Sequence, residues 1–291
     1  MQANDILANS SNRNIQFMLK APKPPKDQSF NSRAEFFKDH IYGTTKGKIR
    51  AAVVWRDLQE ILQSFPAGKK LRVLDAGGGY GFMAAKIAAL GHDVEVVDIS
   101  EDMIALGKEE LAQNEVSGSI NFTLGAVQDL KTLFPEQKFD LVLCHAVLEW
   151  LVDPHPVIGV LKSMLAPGGI LSLLVYNRTG LLFQSLVVGN FDYIKAGLVK
   201  CRRQKLTPQT PLNIDEVKLW LKHENLDVVG MSGVRVVHDY MRDKTEQISK
   251  FDDLLQYELL YSRHPVFAPL GRYVHLWTAP LVFDPLAVEN N

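Results

Sequence analysis

The chain has 291 residues, a formal net charge of −1 at neutral pH, and 22% charged and 46% hydrophobic residues. This composition is ordinary for a globular protein, and no apolar run approaches the length of a membrane span or forms the core of a signal peptide. A chain so close to neutral can contact nucleic acid only through a local basic surface. The two cysteines, Cys144 and Cys201, fit neither a metal site nor a disulfide framework, which indicates a reducing compartment.

The first 50 residues divide into a tail and a segment that leads into a helix. Residues 1–30 are polar and rich in Asn, Ser, Lys and Pro, which predicts a disordered tail. Ala51–Leu62 is an amphipathic helix by its apolar spacing. A segment in this position often lies across the mouth of a ligand site, so Tyr42, Lys46 and Arg50 are candidate site residues. A surface loop with a helix cap is the equally weighted alternative.

The stretch Leu71–Gly81 reads Leu-Arg-Val-Leu-Asp-Ala-Gly-Gly-Gly-Tyr-Gly. Its apolar start predicts a short buried parallel strand, which Asp75 ends. Gly77, Gly78 and Gly79 lack a Cβ, so the backbone can turn tightly there and approach a ligand closely. The stretch therefore predicts a nucleotide-binding turn.

The elements after the glycines narrow the choice of nucleotide. Phe82–Leu90 is a predicted helix, and Val94–Val97 is a second strand that ends at Asp98, where an acidic residue holds ribose hydroxyls. No Gly-Lys-Ser/Thr follows, which excludes a P-loop. Gly79–Ala84 formally fits the dinucleotide pattern, although this frame leaves a short span to Asp98. The frame Val73–Gly81 fits better and resembles motif I of class I S-adenosylmethionine-dependent methyltransferases. An NAD site and a purely structural glycine turn stay as alternatives.

Two further corners follow predicted strands. After the third strand, Ile120–Leu124, come Val127 and Gln128, at the corner that contacts adenine in this fold. After the fourth strand, Phe139–Cys144, comes His145, at the carboxyl edge where open α/β sheets bind ligands. We expect a site role for His145 over a structural one.

The rest of the chain continues the alternation of strands and helices. The further predicted helices are Ser100–Glu115, Pro154–Leu165, Ile214–Leu226 and Glu246–Tyr261, and the further strands are Ile170–Tyr176, Asp227–Val237 and Tyr273–Thr278. This order predicts an α/β fold with a doubly wound, mostly parallel, seven-stranded sheet. Its single domain spans residues 31–280, followed by a tail over 281–291. Residues 178–211 form an insertion after strand five, with a basic run that consists of Lys195, Lys200, Arg202, Arg203 and Lys205.

Several segments in this order resemble the bacterial tRNA 5-carboxymethoxyuridine methyltransferases. They are His40–Arg50, Val73–Gly79, His145–Trp150, Gly189–Gly197, Gly233–Tyr240 and Gly271–His275. The resemblance implies S-adenosyl-L-methionine as the cofactor, with contacts from Arg50, Gly77, Gly78, Asp98, Val127, Gln128 and His145. Our own interpretation of the motif adds Asp75 and Gly79. The resemblance also implies a cytoplasmic enzyme that methylates the carboxyl group of 5-carboxymethoxyuridine at the tRNA wobble position.

The expected chemistry needs no general base, because a carboxylate is already ionised at neutral pH. A cation must hold the substrate carboxylate, with Arg235 and Arg272 as candidates and His238 and Tyr240 as hydrogen-bond donors. The expected tRNA surface consists of Tyr42 and four residues of the basic run, Lys200, Arg202, Arg203 and Lys205. We expect no metal, no membrane contact and no obligate protein partner. A small-molecule O-methyltransferase and a non-catalytic methyltransferase-like binding protein stay as alternatives.

Overall fold

The computed structural model describes residues 43–113, 116–198, 208 and 210–280. Its strands are β1 (Arg72–Ala76), β2 (Asp93–Asp98), β3 (Ser119–Leu124), β4 (Phe139–His145), β5 (Leu165–Tyr176), β6 (Leu226–Val234) and β7 (Tyr273–Pro280). They form one seven-stranded sheet in the order β3-β2-β1-β4-β5-β7-β6. The pairs among β1 to β5 are parallel, while β7 runs antiparallel to both β5 and β6. The predicted doubly wound, mostly parallel sheet is confirmed.

Helices cover both faces of the sheet. They are α1 (Thr45–Gln63), α2 (Phe82–Ala88), α3 (Glu101–Ala112), α4 (Leu130–Leu133), α5 (His155–Ser163), α6 (Arg178–Val187), α7 (Phe191–Lys195), α8 (Ile214–His223), α9 (Glu246–Ser249) and α10 (Phe251–Tyr261). No helix in the described ranges is long and apolar enough to cross a lipid bilayer.

The core forms two layers because side chains alternate between the faces of each strand. In β1, Val73 packs with α1, α2 and α10, whereas Leu74 packs with α5 and α8 on the opposite face. In β4, Leu141 and Leu143 pack in the same layer as Val73, and Val142 packs in the same layer as Leu74. Burial on both faces explains why these strands are almost continuously apolar.

The carboxyl ends of the parallel strands meet at one edge of the sheet. Asp75, Asp98 and His145 therefore come together there, although they are far apart in sequence. Because β7 runs antiparallel, its first residue reaches the same edge, where Tyr273 pairs with Tyr176 of β5 and with Val234 of β6. This edge is where the fold places a ligand.

Most predicted helices differ from the observed ones at one end or both, and three of the differences have a clear description. Helix α1 begins at Thr45 and not at Ala51, because the Thr44 side chain caps it by accepting a hydrogen bond from the N–H of Gly47. The predicted helix Glu246–Tyr261 is two helices, since Lys250 leaves helical geometry at φ −117° and ψ 35°. The helix predicted over Ser100–Glu115 ends at Ala112 in the structure.

Two predicted strands also differ in extent. The fifth begins at Leu165, where Leu165 pairs with Phe139 before a register shift. The sixth is one strand that ends at Val234, so Arg235 begins the loop after it. The predicted tails over 1–30 and 281–291 lie outside the described residues, and the part of the 178–211 insertion that is described contains α6 and α7.

Candidate functional site

A cleft lies over the carboxyl edge of the sheet, and the free space in it, counted together with the solvent at its open mouth, is about 1350 Å³. It is lined by all nine residues that the sequence predicts for cofactor binding, namely Arg50, Asp75, Gly77, Gly78, Gly79, Asp98, Val127, Gln128 and His145. The structure thus brings them to one place, and their contact with a cofactor stays a prediction.

The glycine turn forms one wall of the cleft. The N–H groups of Gly77 and Gly78 donate to the carbonyl of Val97, at 2.7 and 3.2 Å, which fixes the turn to the end of β2. Gly77 and Gly79 have φ values of 77° and 59°, in the left-handed region that favours glycine. A Cβ on Gly77 would collide with the Val147 side chain and one on Gly78 with the Asp75 carboxyl group, whereas one on Gly79 would make only ordinary contact with the sulfur of Met103, at 3.9 Å. The glycines are therefore required for both conformation and space.

Asp98 connects the end of β2 to the glycine turn. Its carboxylate accepts hydrogen bonds from the N–H of Gly79, at 2.8 Å, and of Ser100, at 2.9 Å. Burial raises the pKa of Asp98, and these backbone hydrogen bonds oppose that rise. Each carboxylate oxygen still has a lone pair for a ribose hydroxyl.

Asp75 lies beneath the turn and is almost fully buried. Burial, followed by the nearby charge of Asp98, raises the pKa of Asp75 to about 7. A cationic group bound beside it would favour the ionised form and lower that pKa. Asp75 therefore suits an ammonium group as its ligand.

Arg50 and Tyr273 form the opposite wall. Arg50 projects from α1, and its guanidinium carbon lies 5.8 Å from the centroid of the Tyr273 ring. Burial raises the pKa of Tyr273 to about 12, so its hydroxyl stays protonated at neutral pH. From the sequence, Tyr273 is given no site role and is the first residue of a predicted strand, although it lies within Gly271–His275, one of the segments that carry the family resemblance.

His145 is the outer member of a buried hydrogen-bonded chain. The Ser172 hydroxyl lies 2.9 Å from Nε2 of His145 and 2.7 Å from Nε2 of His275. The Asp57 carboxylate accepts from Nδ1 of His275 at 2.9 Å and also binds two arginines, Arg56 and Arg263. The chain thus engages Nε2 of His145, a residue that lines the cleft. Burial, His275 and the charge of Arg50 hold the pKa of His145 well below its usual value, so the ring is neutral.

Glu149 is a buried acid that the sequence did not predict as part of the site. It is fully buried in the short 3₁₀ turn Leu148–Trp150, and neither carboxyl oxygen makes a hydrogen bond of normal geometry within the described ranges. Burial raises the pKa of Glu149 to about 8, although backbone N–H groups nearby and the charge of Arg50 oppose the rise. At neutral pH the group is therefore mostly protonated. Glu149 is not among the residues that line the cleft.

Apart from Tyr273, the lining residues that the sequence missed are apolar or small, and their apolar character could equally have indicated core. They are Val54, Tyr80, Met83, Ile99, Met103, Gly125, Ala126, Ala146, Val147, Trp150, Leu151 and Leu174. Tyr80, at 9% exposure, packs against Met103, so the aromatic bulk beside the glycines belongs to the wall of the cleft.

The four predicted substrate residues after β6 lie together around Asp239. Arg272 donates to Asp239, and Nδ1 of His238 lies 2.9 Å from the same carboxylate. The Tyr240 hydroxyl donates to the backbone carbonyl of Leu270 at 2.6 Å. These three side chains are engaged within the protein, and none of them lines the cleft, so their predicted substrate contacts lack direct geometric support.

Arg235 is the exception among the four, because its Nε is buried without a hydrogen-bond partner in the described part of the chain. The remaining predicted tRNA residues, Tyr42, Lys200, Arg202, Arg203 and Lys205, lie outside the described residues. Lys195, the described member of the basic run, is exposed and lies 3.5 Å from Asp192.

The donor set of the cleft fits S-adenosylmethionine, the predicted cofactor. Asp98 suits the ribose hydroxyls, and apolar residues such as Ile99 and Met103 suit a flat base beside Val127 and Gln128. Asp75 and Arg50 offer groups of opposite charge for an amino acid moiety. No group of three potential metal ligands occurs within the described ranges.

Comparison with known proteins identifies related methyltransferases. A family model described as a methyltransferase domain matches residues 67–250. The tRNA 5-carboxymethoxyuridine methyltransferase of Escherichia coli (strain K12) is 44% identical over 251 residues, which are 86% of this chain and 95% of that protein. The ubiquinone biosynthesis O-methyltransferase of Xanthomonas campestris pv. campestris (strain 8004) is 32% identical over 163 residues, 56% of this chain and 65% of that protein.

A solved structure gives the same fold. The magnesium protoporphyrin IX methyltransferase of Synechocystis PCC 6803 with bound SAH has a TM-score of 0.56 at 18% identity, and the match covers 86% of this chain and 96% of that one. At this identity the likeness concerns the fold alone. With the family model and the near full-length similarity to the Escherichia coli enzyme, the chain is an S-adenosylmethionine-dependent methyltransferase and belongs to the tRNA 5-carboxymethoxyuridine methyltransferase family.

Proposed function

We propose that the protein methylates the carboxyl group of 5-carboxymethoxyuridine at the wobble position of tRNA and forms the methyl ester. The similarity to the Escherichia coli enzyme over nearly its whole length supports this substrate. The observation in the structure that carries the proposal is the state of His145, a cleft residue whose pKa lies well below its usual value. A ring that resists protonation is a weak general base, so the site suits a nucleophile that carries no proton.

Bound S-adenosylmethionine supplies a methyl group on a positively charged sulfur atom. A carboxylate with a pKa of about 3.5–4 is ionised at neutral pH and can attack without losing a proton. The work of the protein is therefore alignment and partial desolvation of the substrate. His145 serves this alignment, since Ser172 and the residues behind it hold its ring in one orientation.

Other methylation chemistries fit the site poorly. Methylation of carbon 5 of a uridine needs a cysteine nucleophile. Cys144 is fully buried in β4, and burial raises the pKa of its thiol far above neutral. The Tyr273 hydroxyl has a pKa of about 12, so it is protonated at neutral pH and cannot accept a proton from a substrate. A substrate that brings its own anion fits these groups best.

The tRNA surface is proposed from the sequence. Lys200, Arg202, Arg203 and Lys205 form a basic run on a chain of nearly neutral net charge, which favours a local contact with phosphates. Tyr42 precedes α1, whose residue Arg50 lines the cleft. Because its substrate is tRNA, we place the protein in the cytoplasm.

Mass spectrometry of wobble nucleosides tests the proposal. The purified protein is incubated with S-adenosylmethionine and tRNA that carries 5-carboxymethoxyuridine, and the expected product is that nucleoside with one added methyl group. tRNA with unmodified uridine is the matched control. Absence of the ester, with product formed instead on a small-molecule acceptor, would move the protein to the O-methyltransferase alternative.

The pH dependence of single-turnover methylation tests the mechanism. The expected rate stays level between about pH 6 and pH 8, because no group near a histidine's pKa has to lose a proton. A rate that rises tenfold per pH unit, and loses this rise in His145→Ala, would show that the nucleophile is a hydroxyl or an amine.

A further inference from the structure

A cluster of positive charge borders the cofactor cleft. We define this cationic cluster as Lys46, Arg235, Lys244 and Arg272, which surround Asp239. Arg272 Nε donates to Asp239 Oδ2 at 2.7 Å, and Arg235 Nη2 lies 3.4 Å from the same oxygen. Lys244 Nζ donates to the Asp239 carbonyl at 3.4 Å and to the Met241 carbonyl at 2.9 Å. The Asp239 carboxylate thus contacts the two arginines, and Lys244 reaches the backbone carbonyl of the same residue.

The two arginines of the cluster differ in how many of their N–H donors already have partners within the protein. Arg272 contacts Asp239 through Nε, the Gln184 amide oxygen through Nη2, and the Tyr176 hydroxyl through Nη1 at 3.4 Å. Arg235 reaches Asp239 only by the longer contact, and its buried Nε has no partner within the described ranges. Arg272 is thus a framework residue, whereas Arg235 has one donor, Nε, that no described residue uses.

The backbone holds Arg235 in an uncommon conformation. Its φ is 63°, in the left-handed region that residues with a Cβ rarely adopt. The next three N–H groups, those of Val236, Val237 and His238, donate to the Glu258 carboxylate at 2.8, 3.0 and 2.7 Å. Glu258 therefore fixes the loop that aims Arg235, and strain of this kind is concentrated at functional sites.

Arg235 and Lys46 both lie next to residues that line the cleft. The guanidinium carbon of Arg235 is 5.6 Å from the centroid of the Tyr273 ring, the same ring that Arg50 contacts. Lys46 precedes Arg50 by one turn of α1, so the two side chains share a face of the helix. The cluster consequently borders the cleft on the side of Arg50 and Tyr273.

Lys46 also lies in a positive environment. Burial and the charges of Arg235, Arg272 and Lys244 lower the pKa of Lys46, and Asp239 opposes them only in part. Although part of the side chain is desolvated, Lys46 as a whole remains exposed to solvent. The Lys46 ammonium group therefore suits an anion that arrives from solution.

We propose that Arg235 and Lys46 together receive the carboxylate of the methyl acceptor. Arg235 offers N–H groups in the planar arrangement that matches a carboxylate, and Lys46 adds a point charge from the helix. Asp239 and Glu258 are positioning residues, because they hold Arg235 and its loop and leave its Nε unused. This assignment rests on the proposed function and specifies which residues select an acidic wobble nucleoside.

The test compares two tRNAs in a binding assay with S-adenosylhomocysteine present. One carries 5-carboxymethoxyuridine and the other the neutral amide of the same group, so they differ by one negative charge. The unaltered protein should bind the acidic tRNA roughly 10- to 100-fold more tightly, as charge-assisted hydrogen bonds predict. Lys46→Met combined with Arg235→Asn should remove most of this preference, since asparagine tolerates the left-handed conformation.

Lys48→Met is the matched control, because Lys48 lies on the same helix and projects over the ring of Phe251, 5.7 Å from its centroid. It should keep the preference, and all variants should keep their affinity for S-adenosylhomocysteine. If the double variant fails to fold, Lys46→Met alone should lower the preference, since its side chain is exposed.

Two results would overturn the assignment. A double variant with the full preference would show that another cation holds the carboxylate. Equal weakening for both tRNAs would show that the cluster holds a backbone phosphate. Failure of the unaltered protein to methylate the acidic tRNA would instead refute the proposed function, so the two failures are distinguishable.

Discussion

Replacing Glu149 by glutamine should stabilise the protein, and the gain should depend on pH. Glu149 is fully buried, and its pKa is raised from 4.5 to about 8. The folded protein therefore holds this proton more tightly than the unfolded chain does. The free energy of unfolding must then fall as pH rises from about 4.5 to about 8, and it should change no further above that range.

The size of the effect follows from the shift in pKa. Each unit corresponds to about 1.4 kcal/mol, so Glu149 lowers the free energy of unfolding by up to about 5 kcal/mol above pH 9, where it is ionised in the folded protein, and by about 3 kcal/mol at pH 7, where it must take up a proton on folding. Glutamine cannot ionise and avoids this cost. Near pH 4 the two proteins should be about equally stable, because both side chains are then neutral.

Urea denaturation at pH 4, 7 and 9 measures the difference between Glu149→Gln and the unaltered protein. Glu136→Gln is the control, because Glu136 is exposed and its replacement should change stability little at any pH. A stability difference for Glu149→Gln that is the same at all three pH values would refute the reasoning. It would show that the carboxyl group finds a partner that lets it ionise in the folded protein.

Three further predictions concern the cleft and the tRNA surface. Asp98→Ala should weaken S-adenosylmethionine binding roughly 10- to 100-fold, as measured by calorimetry. Asp98→Asn should weaken it less, because the amide keeps one acceptor for Gly79 or a ribose hydroxyl. An unchanged dissociation constant would mean that the site is misassigned. Ser172→Ala interrupts the hydrogen-bonded chain behind His145, so nitrogen NMR should show a mixture of His145 tautomers. Ser172→Thr keeps the hydroxyl and should restore one tautomer. A single, unchanged tautomer in Ser172→Ala would refute a positioning role for Ser172. Neutralising the four residues Lys200, Arg202, Arg203 and Lys205 should flatten the salt dependence of tRNA binding by roughly 0.7–0.9 in slope per lost phosphate contact; an equal slope would place the tRNA surface elsewhere.

The sequence alone was enough to predict the cofactor edge of the fold. Apolar runs ended by Asp75 and Asp98, with glycines between them, indicate parallel strands whose carboxyl ends meet at one edge. The same logic placed His145 there, one residue after the predicted fourth strand. These predictions depended on local order along the chain and on the rule that parallel strands share an edge, so no long-range contact had to be known.

Only the tertiary structure shows which polar residues support that edge. Asp57 and His275 are 218 residues apart in sequence, and each alone looks like an ordinary buried or surface residue. Glu149 follows His145 closely, yet the sequence does not reveal that its carboxyl group is fully buried without a hydrogen bond from any described residue.

The same limit applies to the substrate side of the cleft. Arg235 and Arg272 looked equivalent as isolated basic residues, and the fold distinguishes them by occupying the donors of one and leaving Nε of the other unused. The charge state and the free donors of a side chain depend on neighbours from distant strands and helices. Local sequence pattern specifies the strands and helices, whereas the packing of these elements decides which side chains remain available to a ligand.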